Sequence, residues 1–205
     1  MAVSLCYSRG NTKLGTIANL SFTPFASCDC TIGCARKGQC YAFKVISQYS
    51  KQAAAAWARN LRLWREDPES FKIQLFTNLI LDQSGWFRFF VGGDCPDPTF
   101  VDLIFETAAQ YPNKRILVFT KRYAWMNAAL ETRTRPANLA ILFSAWKGTD
   151  FENPHGLPIA WVRDPKDLDP RIPTDRIMEC PGNCQSCAAC WNLPALGVDV
   201  VFPKH

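Results

Sequence analysis

Short apolar runs alternate with longer amphipathic stretches along most of the chain, and this alternation predicts an α/β protein. Within the apolar runs, successive residues do not switch between apolar and polar as they do in a half-exposed strand. Both faces of the predicted sheet should therefore be covered, and its strands should be mostly parallel. The predicted strands cover residues 15–25, 86–94, 115–120, 139–146, 157–163 and 198–202.

Helices are predicted in the intervals between these strands. The longest should run from about Tyr41 to Arg65, because its run of four alanines has high helix propensity and the Asp-Pro pair at 67–68 ends it. The other predicted helices cover residues 69–82, 97–110 and 123–131.

This order of elements predicts an incomplete (β/α) barrel of about five or six mostly parallel strands, since so few strands cannot close an eight-stranded barrel. A flat, doubly wound sheet is the competing architecture. No repeat or linker divides the chain, so we expect a single domain over 1–205. Ligands of either architecture bind beyond the carboxyl ends of the strands. The candidate cofactor-binding residues there are Gly92, Gly93, Asp94 and Lys121.

Composition narrows the class of protein. Of 205 residues, 48 % are hydrophobic and 20 % are charged, which indicates a globular chain rather than a disordered one. No apolar run is long enough to cross a bilayer, and the first residues do not resemble a signal peptide, so we expect a cytoplasmic protein. The only histidines are His155 and His205, which leaves little room for histidine-based catalysis.

Ten cysteines make thiol chemistry the main signal. A loop at 28–40 has the spacing Cys28-x-Cys30-x3-Cys34-x5-Cys40, and a cluster at 176–192 has Cys180-x3-Cys184-x2-Cys187-x2-Cys190. Closely spaced thiolates such as the second set are typical of [4Fe–4S] ligands, so one or two such clusters are expected. Structural zinc is the alternative metal. Disulfides are the non-metal alternative, disfavoured by a reducing compartment.

Positive charge is concentrated in the first third of the chain. Residues 1–65 carry nine basic side chains and one acidic one, whereas residues 66–205 have a net charge of −3. On the predicted helix, the basic side chains should form a stripe opposite an aromatic face. This 44–65 basic helix face is a hypothetical contact for nucleic acid or a host protein, and a solvated surface is the alternative. The stripe consists of Lys44, Lys51, Arg59, Arg62 and Arg65.

The cysteine loop after the first predicted strand resembles that of radical S-adenosylmethionine enzymes, in which a Cys-x3-Cys-x2-Cys loop follows the first strand of a partial barrel. The matching pair here is Cys30-x3-Cys34, and Gly92-Gly93-Asp94 is similar to their glycine-rich motif. The resemblance implies a cluster with one open iron in the first loop. It also implies S-adenosylmethionine as a cofactor held by the glycine-rich motif.

A broader resemblance is to the gene-eighty-eight family of bacteriophage proteins. It rests on four motifs that together span about residues 28–191 and implies a phage protein of iron–sulfur character in the host cytoplasm. The motifs are Cys34 through Cys40-Tyr41-Ala42, Gly93-Asp94, Phe119-Thr120-Lys121 and Cys180-Pro181 through Cys190-Trp191.

Three functional hypotheses follow. The first is an iron–sulfur protein on a partial barrel that acts as a redox or radical enzyme. The second is a non-catalytic iron–sulfur protein that binds nucleic acid or a host protein through the basic helix face. The third is a structural zinc protein. Neither the substrate nor the oligomeric state follows from the sequence.

Overall fold

The computed structural model describes residues 3–29 and 40–204. Within this part of the chain, seven strands form one sheet, and every neighbouring pair is parallel. The strands are β1 (Ala18–Leu20), β2 (Trp86–Phe89), β3 (Arg115–Thr120), β4 (Leu139–Ala145), β5 (Ile159–Arg163), β6 (Ile177–Glu179) and β7 (Asp199–Pro203).

Their order across the sheet is β1-β2-β3-β4-β5-β7-β6, and the sheet is not closed. The α/β class and the parallel strands are thus confirmed. The predicted strand count is too low, because β6 is only three residues long and lies inside the segment assigned to the second cysteine cluster. The strand predicted over 15–25 is limited to the three residues of β1.

The helices and one π-helical segment occupy the predicted intervals and the C-terminal cysteine segment. Among the described residues, no helix combines the length and apolar character needed to cross a membrane. The α-helices are α1 (Tyr41–Lys44), α2 (Lys51–Glu66), α3 (Pro68–Leu81), α4 (Pro98–Gln110), α5 (Tyr123–Thr132), α6 (Cys184–Cys187) and α7 (Leu193–Leu196).

The prediction of one continuous helix from Tyr41 to Arg65 is wrong. Helix α1 passes into a π-helix at Val45–Tyr49, and the chain then becomes extended at Ser50, with φ −151°. The Ser50 side chain caps α2 by accepting a hydrogen bond from the amide of Ala53 at 3.0 Å. A serine that favours capping therefore divides the segment, despite the alanine run that follows it.

All the long helices pack on one face of the sheet. Alternate residues of β2, β3 and β4 join α2, α3, α4 and α5 in the main core, which is centred on aromatic side chains such as Phe22, Phe71 and Phe100. The other face of these strands contacts the N-terminal loop and the C-terminal cysteine segment instead. A doubly wound sheet carries helices on both faces, so the described packing differs from that competing architecture.

Candidate metal centres and the pocket between strand ends

A pocket of about 340 Å³ opens at the carboxyl ends of the strands. It has several aromatic walls, including Phe90, Phe119 and Trp146. The four candidate cofactor-binding residues all line it, together with one residue from each end of the first cysteine loop. These six are Gly92, Gly93, Asp94, Lys121, Cys28 and Cys40.

The Asp94 carboxylate joins the ends of two neighbouring strands. Its Oδ1 accepts hydrogen bonds from the Cys95 amide at 2.8 Å and the Thr120 hydroxyl at 2.7 Å, and its Oδ2 accepts one from the Lys121 amide at 2.7 Å. Burial raises the pKa of this carboxyl, while the charge of Lys121 and these hydrogen bonds oppose the shift. Asp94 thus holds the turn after β3 against the turn after β2.

Packing accounts for both glycines before Asp94. A Cβ atom at Gly92 would lie 2.3 Å from the Trp57 ring. Gly93 has φ +79°, and a Cβ there would lie 2.6 Å from the carbonyl oxygen of Phe22. Their lack of side chains lets α2 and the chain after β1 approach the pocket closely.

The cations at the strand ends have separate roles. The Lys121 side chain lines the pocket. Arg122 instead donates hydrogen bonds to the carbonyls of Cys95 at 3.0 Å and Ser27 at 2.9 Å, which connects three loops. Arg163 pairs with Glu179 at the far side of the sheet.

Two cysteines of the first motif fall within the described residues. Cys28 and Cys40 line the pocket, and Cys30 and Cys34 lie outside the described residues. Burial raises the pKa of the Cys28 thiol to about 12, and the Asp94 charge adds to the shift. The Cys40 sulfur caps α1 by accepting a hydrogen bond from the Phe43 amide at 3.4 Å.

All four cysteines of the second motif line one smaller cavity, of about 20 Å³, on the face of the sheet opposite the long helices. Cys180 follows β6, Cys184 and Cys187 begin and end α6, and Cys190 lies in the next 3₁₀ turn. No disulfide joins the eight described cysteines. The fold thus brings this motif together as thiols.

Backbone hydrogen bonds and one tryptophan hold the second cysteine motif against the sheet. The Cys180 amide donates to the Val201 carbonyl at 2.9 Å, and the Cys184 amide donates to the Lys13 carbonyl at 2.9 Å. Beyond the motif, Trp191 is buried and its Nε1 donates to the Phe87 carbonyl at 3.3 Å. The segment is therefore attached to the sheet at both of its ends.

The four thiols of the second motif are not positioned to bind a metal as they stand. Within the described residues, no three or more His, Cys, Asp or Glu side chains are grouped closely enough to hold one metal ion. The shared cavity has room for about one water molecule. The donor set suits iron–sulfur chemistry, because soft thiolates are its usual ligands, but a cluster needs more space than this cavity provides. Binding would have to move the segment away from the sheet.

Arg88 on β2 lines both cavities and was not among the predicted site residues. Its guanidinium carbon lies 4.6 Å from the centre of the Phe119 ring, and its Nε is enclosed without a hydrogen-bond partner in the described structure. Burial lowers the pKa of this guanidinium, and the thiols of Cys184 and Cys190 oppose that shift. An arginine inside an otherwise apolar strand is the sequence signal that could have identified it.

Three of the five basic side chains in the predicted stripe contact the protein itself. Arg59 donates to the Cys6 sulfur at 3.4 Å, and Arg65 donates to the Ala26 carbonyl at 2.7 Å. Arg62 lies 3.8 Å from Glu66, one helical turn away. Lys44 is on α1, before the break at Ser50, so the stripe does not follow one continuous helix.

Comparison with known proteins places the chain in a family. The family model described as Gene product 88 matches residues 5–193, most of the chain and all of the described cysteines. No curated protein and no solved structure matches the chain.

Proposed function

The chain belongs to the gene product 88 family of bacteriophage proteins, and from that premise we propose that it is an iron–sulfur cluster-binding protein on a partial (β/α) barrel. Two features of the fold support the partial barrel. Strands β1 to β5 lie side by side in chain order, and the long helices pack on one face of the sheet. Both are properties of (β/α) barrels.

The observation that carries the proposal is the meeting of four thiols at one cavity. Cys180, Cys184, Cys187 and Cys190 come from three successive parts of one segment, the position after β6, α6 and the 3₁₀ turn, yet all line the same cavity beside a buried cation. Thiolates are the ligands that iron–sulfur clusters require, and these four would hold one. Such a cluster, when bound, supplies one-electron redox chemistry.

A second centre is proposed at the larger pocket. Cys28 and Cys40 line it, and they bracket the other two cysteines of the first motif. Its position at the carboxyl ends of the strands is where barrel enzymes bind their ligands. S-Adenosylmethionine, the cofactor implied by the radical-enzyme resemblance, would lie against Gly92, Gly93 and Lys121. Asp94 would act through the turn it stabilises, because its carboxylate accepts three protein hydrogen bonds.

Structural zinc is the second candidate for the C-terminal thiols. It is favoured by the small volume of their cavity, which leaves less room for a cluster than for one ion, but the thiols would have to move closer together to bind that ion. The two candidates differ in composition, because an iron–sulfur centre contains inorganic sulfide and a zinc site contains none.

The test is anaerobic purification followed by visible absorption and metal analysis of matched variants. We expect Cys187→Ser and Cys190→Ser to lose about half of the visible absorption and of the iron if both centres form, and all of both if only the C-terminal centre forms, because each removes a thiolate ligand. Cys6→Ser is the control, since Cys6 is a half-buried thiol away from both cavities and should keep all the iron. Full iron content in Cys187→Ser and Cys190→Ser would refute the assignment, and zinc without sulfide would establish the second candidate.

A further inference from the structure

Cationic side chains are concentrated in the larger pocket at the strand ends. Among its described lining residues, four side chains are cationic and two, Asp29 and Asp94, are acidic. The lining therefore has a net positive charge even when both carboxylates are ionised. A concave site lined by charges of one sign concentrates ligands of the opposite sign. The four cations are Lys13, Arg88, Lys121 and Lys204.

Three of these cations have no carboxylate partner in the part of the chain that the structure describes. The side chains of Lys13, Arg88 and Lys121 make no hydrogen bond or ion pair there, and the Nε of Arg88 is also enclosed. Tyr41 lies close enough to act on Arg88, but a phenol is a neutral hydrogen-bonding group near pH 7 and does not offset the charge. Enclosing charges without a counter-charge is costly, so these three side chains indicate an anionic ligand.

Two of these cations are held over one pair of aromatic rings. The guanidinium carbon of Arg88 lies 4.6 Å from the centre of the Phe119 ring, and the Nζ of Lys13 lies 4.8 Å from the centre of the Phe202 ring. The two rings meet edge to face, with their centres 5.9 Å apart. Contact with a ring face positions a cation but uses none of its hydrogen-bond donors. A phosphate monoester, with about two negative charges and three acceptor oxygens, suits such a group of cations better than a carboxylate does.

Trp146, which follows β4, supplies a flat surface in the same pocket. Its indole is half-buried and contacts no other aromatic ring among the described residues. Its carbonyl accepts hydrogen bonds from the Arg171 side chain and the Thr149 amide, each at 2.9 Å, so its backbone is fixed. A free indole face of this kind stacks on a planar base. The pocket volume of about 340 Å³ is near the lower end for small-molecule sites, which suits one nucleotide rather than a dinucleotide.

We propose that the larger pocket binds a mononucleotide, with the phosphate among Lys13, Arg88 and Lys121 and the base against Trp146. This inference goes beyond the function proposed above and depends on neither iron–sulfur centre. It concerns the pocket in which S-adenosylmethionine is placed above. The two ligands share a base and a ribose, but S-adenosylmethionine has a sulfonium cation where the nucleotide has a phosphate. The cations of the pocket attract the phosphate and repel the sulfonium.

The experiment is titration calorimetry of the anaerobically purified chain with AMP, ribose 5-phosphate and S-adenosylmethionine. We expect AMP to bind most tightly. Arg88→Met and Lys121→Met should each weaken the binding of AMP and of ribose 5-phosphate by roughly tenfold, because each removes a charged donor to the phosphate. Trp146→Ala should weaken AMP by roughly tenfold but leave ribose 5-phosphate unchanged, because it removes only the surface for the base. Arg115→Met is the matched control and should keep both affinities, because Arg115 stacks on Trp86, 5.0 Å from the ring centre, outside both cavities.

The outcomes separate this inference from the proposed function. If Arg88→Met does not fold, Lys121→Met and Trp146→Ala decide, because neither side chain makes a hydrogen bond within the described residues. Absence of AMP binding, equal affinities in wild type and these variants, or tighter binding of S-adenosylmethionine than of AMP would each overturn the nucleotide assignment. A chain that binds AMP and contains no iron would uphold this inference and overturn the proposed function. A chain that contains iron and sulfide but does not bind AMP would do the reverse.

Discussion

At the scale of single residues, the turn after β2 contains residues that line the larger pocket and are also required by the fold. Gly92, Gly93 and Asp94 were predicted to bind a cofactor and do line the larger pocket. Each is also needed by the fold, because Gly92 faces Trp57, Gly93 has a left-handed backbone, and Asp94 joins two turns. Variants here must therefore be compared in stability before their ligand binding is interpreted.

The first prediction concerns Gly92→Ala. Its Cβ would lie 2.3 Å from the Trp57 ring, so we expect a loss of roughly 1–3 kcal/mol in the free energy of unfolding, measured in urea. Gly85→Ala is the control, because nothing lies within 4 Å of a Cβ there and its stability should be unchanged or slightly higher. Equal stability of the two variants would contradict the close packing of α2 against this turn.

The second prediction concerns the pH dependence of stability at Asp94. Burial raises its pKa in the folded protein, so above the ordinary pKa the native state binds more protons than the unfolded chain. Stability should therefore fall as pH rises above the ordinary carboxyl pKa of about 4, and should level off once the raised pKa of the folded protein has been passed. The lowered pKa values of Asp164 and Asp169 act below that window, where they remove stability as pH falls.

Asp94→Asn removes the ionisable group and should flatten this decline in urea midpoints. The amide also loses one acceptor facing the Lys121 backbone amide, so the variant should be less stable by roughly 1–3 kcal/mol at low pH. A decline of the same slope in wild type and variant would assign the pH dependence to other groups.

Site residues could be predicted from the sequence where their spacing alone indicates that they act together. The Cys180 to Cys190 spacing predicted a group of thiols, and the structure brings these thiols to one cavity. Arg88 could not be assigned to that cavity in the same way. Its place depends on which face of β2 meets the cysteine segment, and this contact joins residues about a hundred positions apart.

At the scale of elements, the chain between 41 and 66 differs most from its prediction. Helix propensity favoured one helix, but capping by Ser50 divides it into two, with a π-helix at the end of the first. In contrast, α3 and α4 were predicted to within about one residue. Each begins with proline after an aspartate cap, a signal that is local in sequence and needs no tertiary contact.

The third prediction concerns nucleic-acid binding by the basic side chains of this segment. Among the five, Lys44 and Lys51 have no hydrogen bond or ion pair within the described residues, whereas the three arginines contact the protein. If DNA is bound, about two phosphate contacts should give a slope near −2 for log K against log salt.

Charge reversal of Lys44 and Lys51 together should then abolish the binding, and Arg62→Glu should change it little. A slope of −4 to −5 would mean that all five side chains leave their protein contacts for phosphates. Failure of iron-loaded protein to bind DNA or RNA at low salt would leave the basic side chains as a solvated surface.

The fourth prediction concerns movement of the C-terminal cysteine segment. Its cavity is smaller than a cluster, and the segment is held to the N-terminal loop by the Cys184 amide and by Gln185, which accepts from the Thr16 amide at 3.1 Å. Loading should shift the segment and tie its four cysteines to one centre. Amide exchange should therefore slow at 180–192, with little change in β3 and β4.

The Cys187→Ser variant treated with the same iron and sulfide is the control and should keep the exchange rates of the metal-free protein. Identical exchange at 180–192 in loaded and metal-free wild type would show that the segment holds nothing.

At the scale of the whole molecule, the sheet separates two environments. One face meets the long helices and forms the main aromatic core, and the other meets the cysteine segment. The alternation of strands and helices predicted the α/β class and the parallel strands. It could not predict β6, which has three residues and is defined by its pairing with β7 rather than by an apolar run of its own.

This arrangement gives the molecule two cysteine-lined cavities with Arg88 between them. The larger is open at the strand ends, where ligands of related architectures bind, and the smaller lies under a segment attached at both ends. We therefore assign different roles to the two sites. Under the function proposed above, electron chemistry belongs to the covered C-terminal thiols, and the open pocket is left for a second molecule.

The most direct test of the iron–sulfur assignment is the content of iron and acid-labile sulfide per chain after anaerobic reconstitution. We predict iron and sulfide in equal amounts, about four of each per chain for one cluster and about eight for two. Cys184→Ser should lose the share that belongs to the C-terminal centre. Zinc in place of iron, or iron without sulfide, would contradict the assignment of an iron–sulfur cluster to the C-terminal cysteines.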